Sequence, residues 1–498
     1  MRSITQYKQS VMGGIILLSS LAIPGSYLLS MERWTRTFGG SGIDDGYSVQ
    51  QTSDGGFIIA GRTTSYGSGY YDVYLIKTDS IGDTLWTKTF GGSGFDTGYS
   101  IRQTSDNGYI LAGFTESYGL GSADVYLIKT NAMGDTVWTR TFGGSGFDVG
   151  YYVQQTSDNG YIIIGYNGSY GPVGFNVYLI KTDSIGDTLW TRAVQGSIGY
   201  CIQQTSDGGY IITGENDSDV YIVKTDSLGN SLWAKTYGDS EYDCGRSVQQ
   251  TTDNGYIITG LTRPPGGYES ESSVYLIKTN ALGGTLWTKK IGQVDGSSAG
   301  ESVQQTNDGG YIITGSTYPY GITGSWGVYL IKTDSAGDTI WTRTFGGHSG
   351  DKGNSVHQTT DGGYIITGTI YQEGDPNIYL IKTDDNGNIM GLNEGGKGVQ
   401  EIPKYFTLYQ NYPNPFNSST MICYELKKKA QDVELMIFSI SGKAVRTLVR
   451  ENQTTGSYEV MWDGKDEKGN VVVSGVYLYQ LKLRGDALRK TKKMVLIQ

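Results

Sequence analysis

The chain has 498 residues, of which 75 are glycine, 39 tyrosine and only 2 histidine. Such a composition indicates many short strands joined by tight turns, and a charged fraction of 18% argues against disorder. Residues 401–498 carry a net charge of +5 and the remainder −15. We therefore expect no nucleic-acid partner, because phosphate neutralisation needs clustered lysine and arginine.

The first 30 residues have the features of a secretory signal peptide. Arg2 and Lys8 supply positive charge, and an apolar run follows at 11–22 before Pro24. The run is short for a membrane-spanning helix. We therefore expect a Sec signal peptide over 1–30 and no transmembrane anchor.

Tryptophan marks a long internal repeat. Seven of these residues are spaced 52, 52, 52, 43, 54 and 54 positions apart: Trp34, Trp86, Trp138, Trp190, Trp233, Trp287 and Trp341. Each unit has four strand-like segments, and Asp-Gly-Gly or Asp-Asn-Gly separates the first two, a strong hairpin signal. Four-stranded repeats of this length predict the blades of a β-propeller. The chain is thus predicted to be all-β, with a seven-bladed propeller over 31–391.

One strand is left over at the start of the repeats, and one is missing at their end. The segment Trp34 to Phe38 has no unit of its own, while the seventh unit has Gly391 where the others have tryptophan. We predict that this N-terminal strand completes the last blade by pairing around residues 378–383, which removes two free sheet edges.

These repeats resemble the seven-bladed propellers of bacterial secreted proteins. Their turn-and-tryptophan segment, T-D-x-x-G-D-T-x-W, is also similar to that of quinoprotein propellers and, more loosely, to the Asp-box of sialidase-type propellers. The resemblance covers residues 31–391 and implies the fold rather than an activity.

Features present in all seven units are interpreted as architecture. A lysine ends the third strand of every unit, and we expect it to pair with a turn aspartate, Asp54 or Asp79 in the first unit. Recurring aspartates before strand one, beginning with Asp44, are expected to cap turns. The alternatives are an anion-binding ring of lysines and a structural calcium ion, for which the run 384–388 is a partial match. We expect no other cofactor and no metal centre.

Catalytic motifs are missing from the sequence. The two histidines, His348 and His357, stand in no zinc or nucleophile pattern. No catalytic residue is therefore assigned. A pair of carboxylates from different blades would leave no motif, so an extracellular glycoside hydrolase with acidic residues at the channel mouth stays open as the alternative.

The loops between strands two and three favour binding. They are rich in tyrosine, glycine and serine, a combination typical of binding surfaces. The fourth unit is short, and we predict a notch in the rim there that holds a glycan or protein ligand. The alternatives are tyrosines that pack between blades and a neutral deletion. The predicted ligand-binding residues are Tyr166, Tyr170, Asp217, Asp219 and Tyr268.

The C-terminal region has a different character. Residues 392–404 are expected to form a linker. The segment 408–417 (LYQNYPNPFN) and the strands that follow resemble the C-terminal sorting domain of type IX secretion cargo, which is related to the Ig-like domain of the flagellar hook-capping protein. The resemblance covers 405–498, although Ser418 stands where the family often has proline. It implies a small antiparallel β-sandwich and recognition by the type IX machinery.

Taken in chain order, these features predict a monomeric binding or adhesion scaffold. A Sec signal would deliver it to the periplasm of a Gram-negative bacterium, and the tail would take it across the outer membrane to the surface or the medium.

Overall fold

The structure is a computed structural model. It describes residues 33–497 with gaps at 170–175, 195, 239–241, 264–271, 293–295, 319–324, 347–349, 373–374, 390–405, 410, 412, 415, 427–428, 441 and 484–487. The predicted signal peptide and linker lie outside the described residues. The chain divides near residue 395 into two compact units.

The first unit is a seven-bladed β-propeller, as predicted. Each blade is a four-stranded antiparallel sheet, and in blades one to six the strands follow chain order. Blade one contains β2 (Asp44–Gln51), β3 (Phe57–Thr63), β4 (Asp72–Thr78) and β5 (Thr84–Phe90), and blade two contains β6 (Asp96–Gln103), β7 (Tyr109–Thr115), β8 (Asp124–Thr130) and β9 (Thr136–Phe142). Blade three contains β10 (Asp148–Gln155), β11 (Tyr161–Asn167), β12 (Asn176–Thr182) and β13 (Thr188–Val194), and blade four contains β14 (Ile198–Gln204), β15 (Tyr210–Asn216), β16 (Asp219–Thr225) and β17 (Ser231–Tyr237). Blade five contains β18 (Asp243–Gln250), β19 (Tyr256–Thr262), β20 (Ser273–Thr279) and β21 (Thr285–Ile291), and blade six contains β22 (Ser297–Gln305), β23 (Tyr311–Tyr318), β24 (Gly327–Thr333) and β25 (Thr339–Gly346).

The seventh blade joins the two ends of the propeller. It contains β26 (Lys352–Gln358), β27 (Tyr364–Gln372), β28 (Asp375–Thr383) and, from the N-terminus, β1 (Trp34–Phe38). β1 pairs antiparallel with β28 in the register Trp34 to Lys382 and Phe38 to Ile378. The predicted ring closure is confirmed.

Burial follows the position of a strand within its blade. The third strand of the first blade, DVYLIKT, is buried along its whole length, because both faces of the sheet are covered by neighbouring blades. The fourth strand, TLWTKTF, alternates between exposed and partly buried residues, as expected at an outer edge.

Tryptophans on the outer strands connect neighbouring blades. Trp34 packs edge-on against Phe57 of blade one at 5.7 Å between ring centroids, and Trp341 packs against Tyr364 of blade seven at 6.0 Å. The other five make the same contact with the next blade. The repeat tryptophan is therefore part of the packing between blades.

The second unit is an antiparallel β-sandwich. One sheet has the order β29 (Phe406–Leu408), β30 (Thr420–Leu426), β33 (Gly456–Trp462); the other has the order β32 (Ala444–Gln453), β31 (Ala430–Ser439), β34 (Gly475–Leu483), β35 (Leu488–Leu496). Trp462 is fully buried between the sheets and packs against Phe416 and Tyr477 at 5.6 and 5.3 Å. Among the described residues of the chain, no helix is long and apolar enough to span a membrane.

Candidate functional site

The innermost strands of the seven blades surround a cavity of about 300 Å³. This volume lies at the low end of the range typical of ligand pockets, roughly 300–1,000 Å³. Most of its lining comes from three positions of strand one, which form three rings of side chains around the channel, and Val248, Val303 and Val356 contribute from a fourth position. We call the three rings the upper, middle and lower rings, the upper one being nearest the start of strand one.

A β-bulge in every blade places the upper ring. In blade one the register shifts between Gly46 and Ser48, so Tyr47 has no partner on the neighbouring strand. The same shift occurs in the other six blades. Glycine is required beside the bulge, since a Cβ on Gly61 would lie 1.9 Å from the carbonyl oxygen of Asp45. A bulge redirects a side chain, and here the bulged residue faces the channel.

The upper ring breaks the sevenfold symmetry of the propeller. The flanking glycine and the final glutamine of strand one are the same in all seven blades, but the bulged residue is not. Blades one to four have tyrosine, whereas blades five to seven have arginine, glutamate and asparagine. The ring consists of Tyr47, Tyr99, Tyr151, Tyr200, Arg246, Glu301 and Asn354.

The four tyrosines form a continuous arc. Successive ring centroids are 5.0, 5.4 and 5.4 Å apart. Each ring is tilted against the next, an arrangement favoured by the aromatic quadrupole. All four side chains are partly exposed. The arc gives one half of the channel an aromatic wall that carries hydroxyl groups.

The other half of the upper ring is polar and charged. The guanidinium carbon of Arg246 lies 4.4 Å from the ring centroid of Tyr200. Its Nε is 4.0 Å from a carboxylate oxygen of Glu301. Asn354 donates from Nδ2 to the carbonyl oxygen of Gly46 at 2.7 Å. This hydrogen bond links blade seven to blade one.

Most of the middle ring serves the scaffold. Five of its residues are serines whose hydroxyl oxygens accept a backbone N–H from the next blade at 3.2–3.4 Å: Ser48, Ser100, Ser247, Ser302 and Ser355. Blades three and four instead have Tyr152 and Cys201. A tyrosine in place of serine fills space inside the channel below the arc.

The lower ring shows the same contrast. Five glutamines accept a backbone N–H from strand one of the next blade at 2.6–2.8 Å: Gln50, Gln154, Gln203, Gln249 and Gln304. Blades two and seven have Arg102 and His357 at this position. Arg102 donates to the hydroxyl of Tyr152 and stacks on its ring at 4.6 Å. Two of the exceptions to the repeat thus meet each other.

Burial sets the protonation of the channel lining at neutral pH. Desolvation raises the pKa of Tyr99 to about 12 and also raises that of Tyr200, so the arc is uncharged. Burial, helped by the charge of Arg102, lowers the pKa of His357 to about 3, so this histidine is neutral. The charged groups of the described lining are therefore Arg102, Arg246 and Glu301.

The repeated lysines are structural, as predicted. Lys77 is buried and pairs with Asp54 at 2.9 Å, and the other six blades repeat this pair. The second candidate, Asp79, instead accepts two turn N–H groups. The predicted turn-capping role of Asp44 is also confirmed: it accepts from Gly40 N at 2.9 Å and from the Ser65 hydroxyl at 2.7 Å.

The partial calcium match at 384–388 forms a hairpin turn. Asp384 accepts the backbone N–H groups of Asn386 and Asn388 at 3.0 and 2.7 Å. No group of three or more histidine, cysteine, aspartate or glutamate side chains in the described part of the chain is arranged to hold a metal ion.

The predicted notch is only partly described. Tyr170 and Tyr268 lie outside the described residues. Tyr166 is a partly buried residue of β11 that packs against the apolar cluster around Val149. Asp217 and Ser218, at φ of 50° and 70°, form a two-residue hairpin turn that Asp219 follows. The three described residues do not line the channel cavity, and ligand binding at the notch stays a prediction.

Two tyrosines of the loops between strands two and three, which we call rim tyrosines, hydrogen-bond to the backbone of a neighbouring loop. Tyr66 and Tyr118 donate from their hydroxyls to the carbonyl oxygens of Gly39 and Gly91 at 2.9 and 2.6 Å. They tie the loop between strands two and three to the loop that precedes strand one. This contact favours the packing interpretation of these two residues.

In the C-terminal domain, Asn414 and Phe416 of the segment 408–417 hydrogen-bond to the last strand. Phe416 exchanges backbone hydrogen bonds with Val495 and Ile497 at 3.0 and 2.8 Å. The side chain of Asn414 accepts from Val495 N at 2.8 Å. The segment on which the sorting-domain resemblance depends therefore has a structural role in closing this domain.

Solved structures similar to the chain are diverse. PorZ, described as an essential surface component of the type IX secretion system of Porphyromonas gingivalis, is 13% identical with a TM-score of 0.39; the alignment covers 93% of this chain and 60% of PorZ. Sqt1 from Chaetomium thermophilum is 10% identical with a TM-score of 0.43, covering 79% and 97% of the two chains. The Dos1 propeller is 10% identical with a TM-score of 0.43, covering 70% and 95%. Structural similarity at these TM-scores does not assign a function to the chain.

Sequence comparison identifies one region. No curated protein matches the chain. Residues 416–486, within the C-terminal sandwich, match the FlgD Ig-like domain family.

Proposed function

We propose that this protein is a secreted or cell-surface binding protein whose ligand occupies the channel of the propeller. The observation that carries the proposal is the asymmetry of the upper ring. A residue needed only to close a sevenfold scaffold is the same in every blade, as the lysines and the final glutamines are. A ligand without sevenfold symmetry requires different residues around it.

The chemistry of the ring supports recognition of a glycan. Tyrosine combines an apolar ring with a hydroxyl, and the polar half adds hydrogen-bond donors and acceptors. The described lining also includes serine and glutamine from the other two rings. This polarity suits a ligand rich in hydroxyl groups better than an apolar peptide side chain.

The alternative function, glycoside hydrolysis, requires two carboxyl groups roughly 5–10 Å apart. Glu301 is the one carboxylate among the described residues that line the cavity. That observation favours binding as the proposed function.

The test is an oligosaccharide array probed with the full chain, with a hydrolysis screen of the same sugars in parallel. We expect saturable binding of at least one oligosaccharide and no release of reducing ends. Turnover of a bound sugar, lost on Glu301→Gln, would replace the binding function with the hydrolytic one.

The proposal extends to export. The resemblance of 405–498 to the sorting domain, together with the FlgD Ig-like match over 416–486, supports a route by Sec and then a type IX pathway to the outside of a Gram-negative cell. The signal peptide over 1–30 and the monomeric state remain part of the same proposal.

Deleting residues 405–498 tests the export route. In a type IX-competent host, we expect the truncated protein to accumulate in the periplasm, because the propeller has its own core and closes without the tail. Cell fractionation of the truncated and full-length proteins measures this. Surface delivery of the truncated protein at the full-length level would show that the tail is not the export signal.

A further inference from the structure

We propose that the channel ligand is an acidic glycan whose carboxylate binds to Arg246, with sugar hydroxyls bound by the tyrosine arc. This inference rests on the proposed channel function and adds the chemical class of the ligand.

The first argument is the state of the Arg246 guanidinium. Its central carbon lies over the ring of Tyr200, 4.4 Å from the ring centroid. Its Nε is buried and has no hydrogen-bond partner among the described residues. The nearest carboxylate, on Glu301, is 4.0 Å from this atom, beyond hydrogen-bonding distance. The side chain as a whole is 28% exposed, and a fixed, partly exposed guanidinium whose Nε has no partner is suited to bind a carboxylate.

Two other arginines near the channel have hydrogen-bond partners for their guanidinium groups. Arg62 donates from Nε and NH2 to one carboxylate oxygen of Asp45, at 2.9 and 2.8 Å. Arg102, deeper in the channel, donates to the carbonyl oxygen of Ile101 at 2.6 Å and to the hydroxyl of Tyr152. Arg246 differs from both, and it is the arginine of the upper ring.

The second argument is the charge of the cavity. Two arginines and one glutamate are the charged residues of the described lining, and His357 is neutral. The lining therefore carries one net positive charge, although the chain outside residues 401–498 carries −15. Around Tyr47, two cations, Arg62 and Lys352 at 5.8 and 5.9 Å from its ring, lie near one carboxylate, that of Asp45 at 3.5 Å from its hydroxyl. A positive cavity in an acidic protein favours an anionic ligand.

The third argument concerns the hydroxyls of the arc. Tyr99, Tyr151 and Tyr200 make no hydrogen bond from their hydroxyls to the described residues, and their side chains are partly exposed in the channel. Each can donate one hydrogen bond and accept another. Three such groups beside a guanidinium match a sugar ring that carries several hydroxyls and one carboxylate.

The probes are a galacturonic acid trimer, its methyl ester and maltotriose, titrated into the full chain by calorimetry. The ester keeps the size and hydroxyls of the acid but removes its charge. We expect the acid to bind at least tenfold more tightly than either neutral sugar, and its affinity to fall as salt is added.

Two variants assign the effect to one residue. Arg246→Gln removes the charge in the channel, and we expect at least a tenfold loss of affinity for the acid. Arg140→Gln is the matched control, because Arg140 is an outer-strand arginine that bonds Ile185 O and Asp187; we expect a change of less than twofold. Arg246→Lys, which keeps the charge but not the two-pronged geometry, should bind with intermediate affinity.

The outcomes separate this inference from the function on which it rests. Equal affinity for acid and ester, or no effect of Arg246→Gln on binding of the acid, overturns the acidic ligand. If a neutral sugar binds and Tyr151→Ala abolishes that binding, the channel is still the binding site, but its ligand is not acidic. If the acid fails to bind, the inference is overturned; if bound sugars are indifferent to both ring variants, the channel function is overturned as well.

Discussion

At the scale of residues, the channel is best understood through its exceptions. Five lower-ring glutamines accept a backbone N–H from the next blade. Arg102 and His357 replace glutamine in the other two blades. Each such hydrogen bond contributes about 1 kcal/mol to stability. Residues that form a binding site are often less favourable for stability than the residues they replace, and the loss of these hydrogen bonds at positions that face the channel fits such a role.

His357→Gln tests the contribution of this histidine to stability. The pKa of His357 is about 3 in the folded protein against 6.5 for an unperturbed histidine, so the unfolded chain binds the additional proton as the pH falls below 6.5. The contribution of His357 to the free energy of unfolding is therefore fully present above pH 6.5 and declines as the pH falls below that value. We expect the variant to gain on the order of 1 kcal/mol more stability at pH 5 than at pH 8, because His357 is partly exposed to the cavity and the full linkage effect is therefore reduced.

Urea unfolding of both proteins at the two pH values measures this gain. The window stays above the range in which the paired aspartates such as Asp106, with a pKa of about 2, begin to titrate. A stability difference that is independent of pH would show that His357 is not a buried neutral group.

At the scale of elements, ring closure explains why the chain starts its repeats with a lone outer strand. β1 covers the edge of β28 through five residue pairs. It also brings Trp34 onto Phe57 of blade one. The last blade and the first are therefore joined both by backbone pairing and by the same tryptophan contact as every other blade.

Deleting residues 1–40 removes β1 and should destabilise the propeller by at least about 3 kcal/mol, from lost backbone hydrogen bonds and the exposed Phe57 contact. It also leaves a free sheet edge that promotes aggregation. The control is deletion of 1–32, which removes no described residue. Thermal unfolding with light scattering compares the two. Equal melting temperatures would contradict the closure.

The sequence was informative wherever the seven repeats agree. The blade count, the closing strand and the Lys77–Asp54 pair all follow from features that recur, because the same local chemistry must be satisfied in every blade. The upper ring was missed because a search for motifs passes over a single variable position. Aligning the strand-one segments, from DDGYSVQQ to DKGNSVHQ, shows the change after the shared glycine. That this position faces the channel follows only from the bulge.

At the scale of the whole molecule, a symmetric scaffold carries an asymmetric site. The blades supply seven equivalent positions around one cavity, so substitution at a single position per blade can shape a site without disturbing the packing between blades. The tyrosine arc, Arg246 and Glu301 are such substitutions. The outer loops and the notch in blade four remain the competing location for ligand binding.

One measurement separates these locations most directly: the affinity of the full chain for its tightest array ligand after Tyr151→Ala, Tyr118→Ala and Asp217→Ala. These variants test the channel, the rim and the notch, respectively. A channel site predicts at least a tenfold loss, about 1.4 kcal/mol, for Tyr151→Ala and less than twofold for the other two. A tenfold loss for Tyr118→Ala or Asp217→Ala, with Tyr151→Ala unchanged, would contradict it.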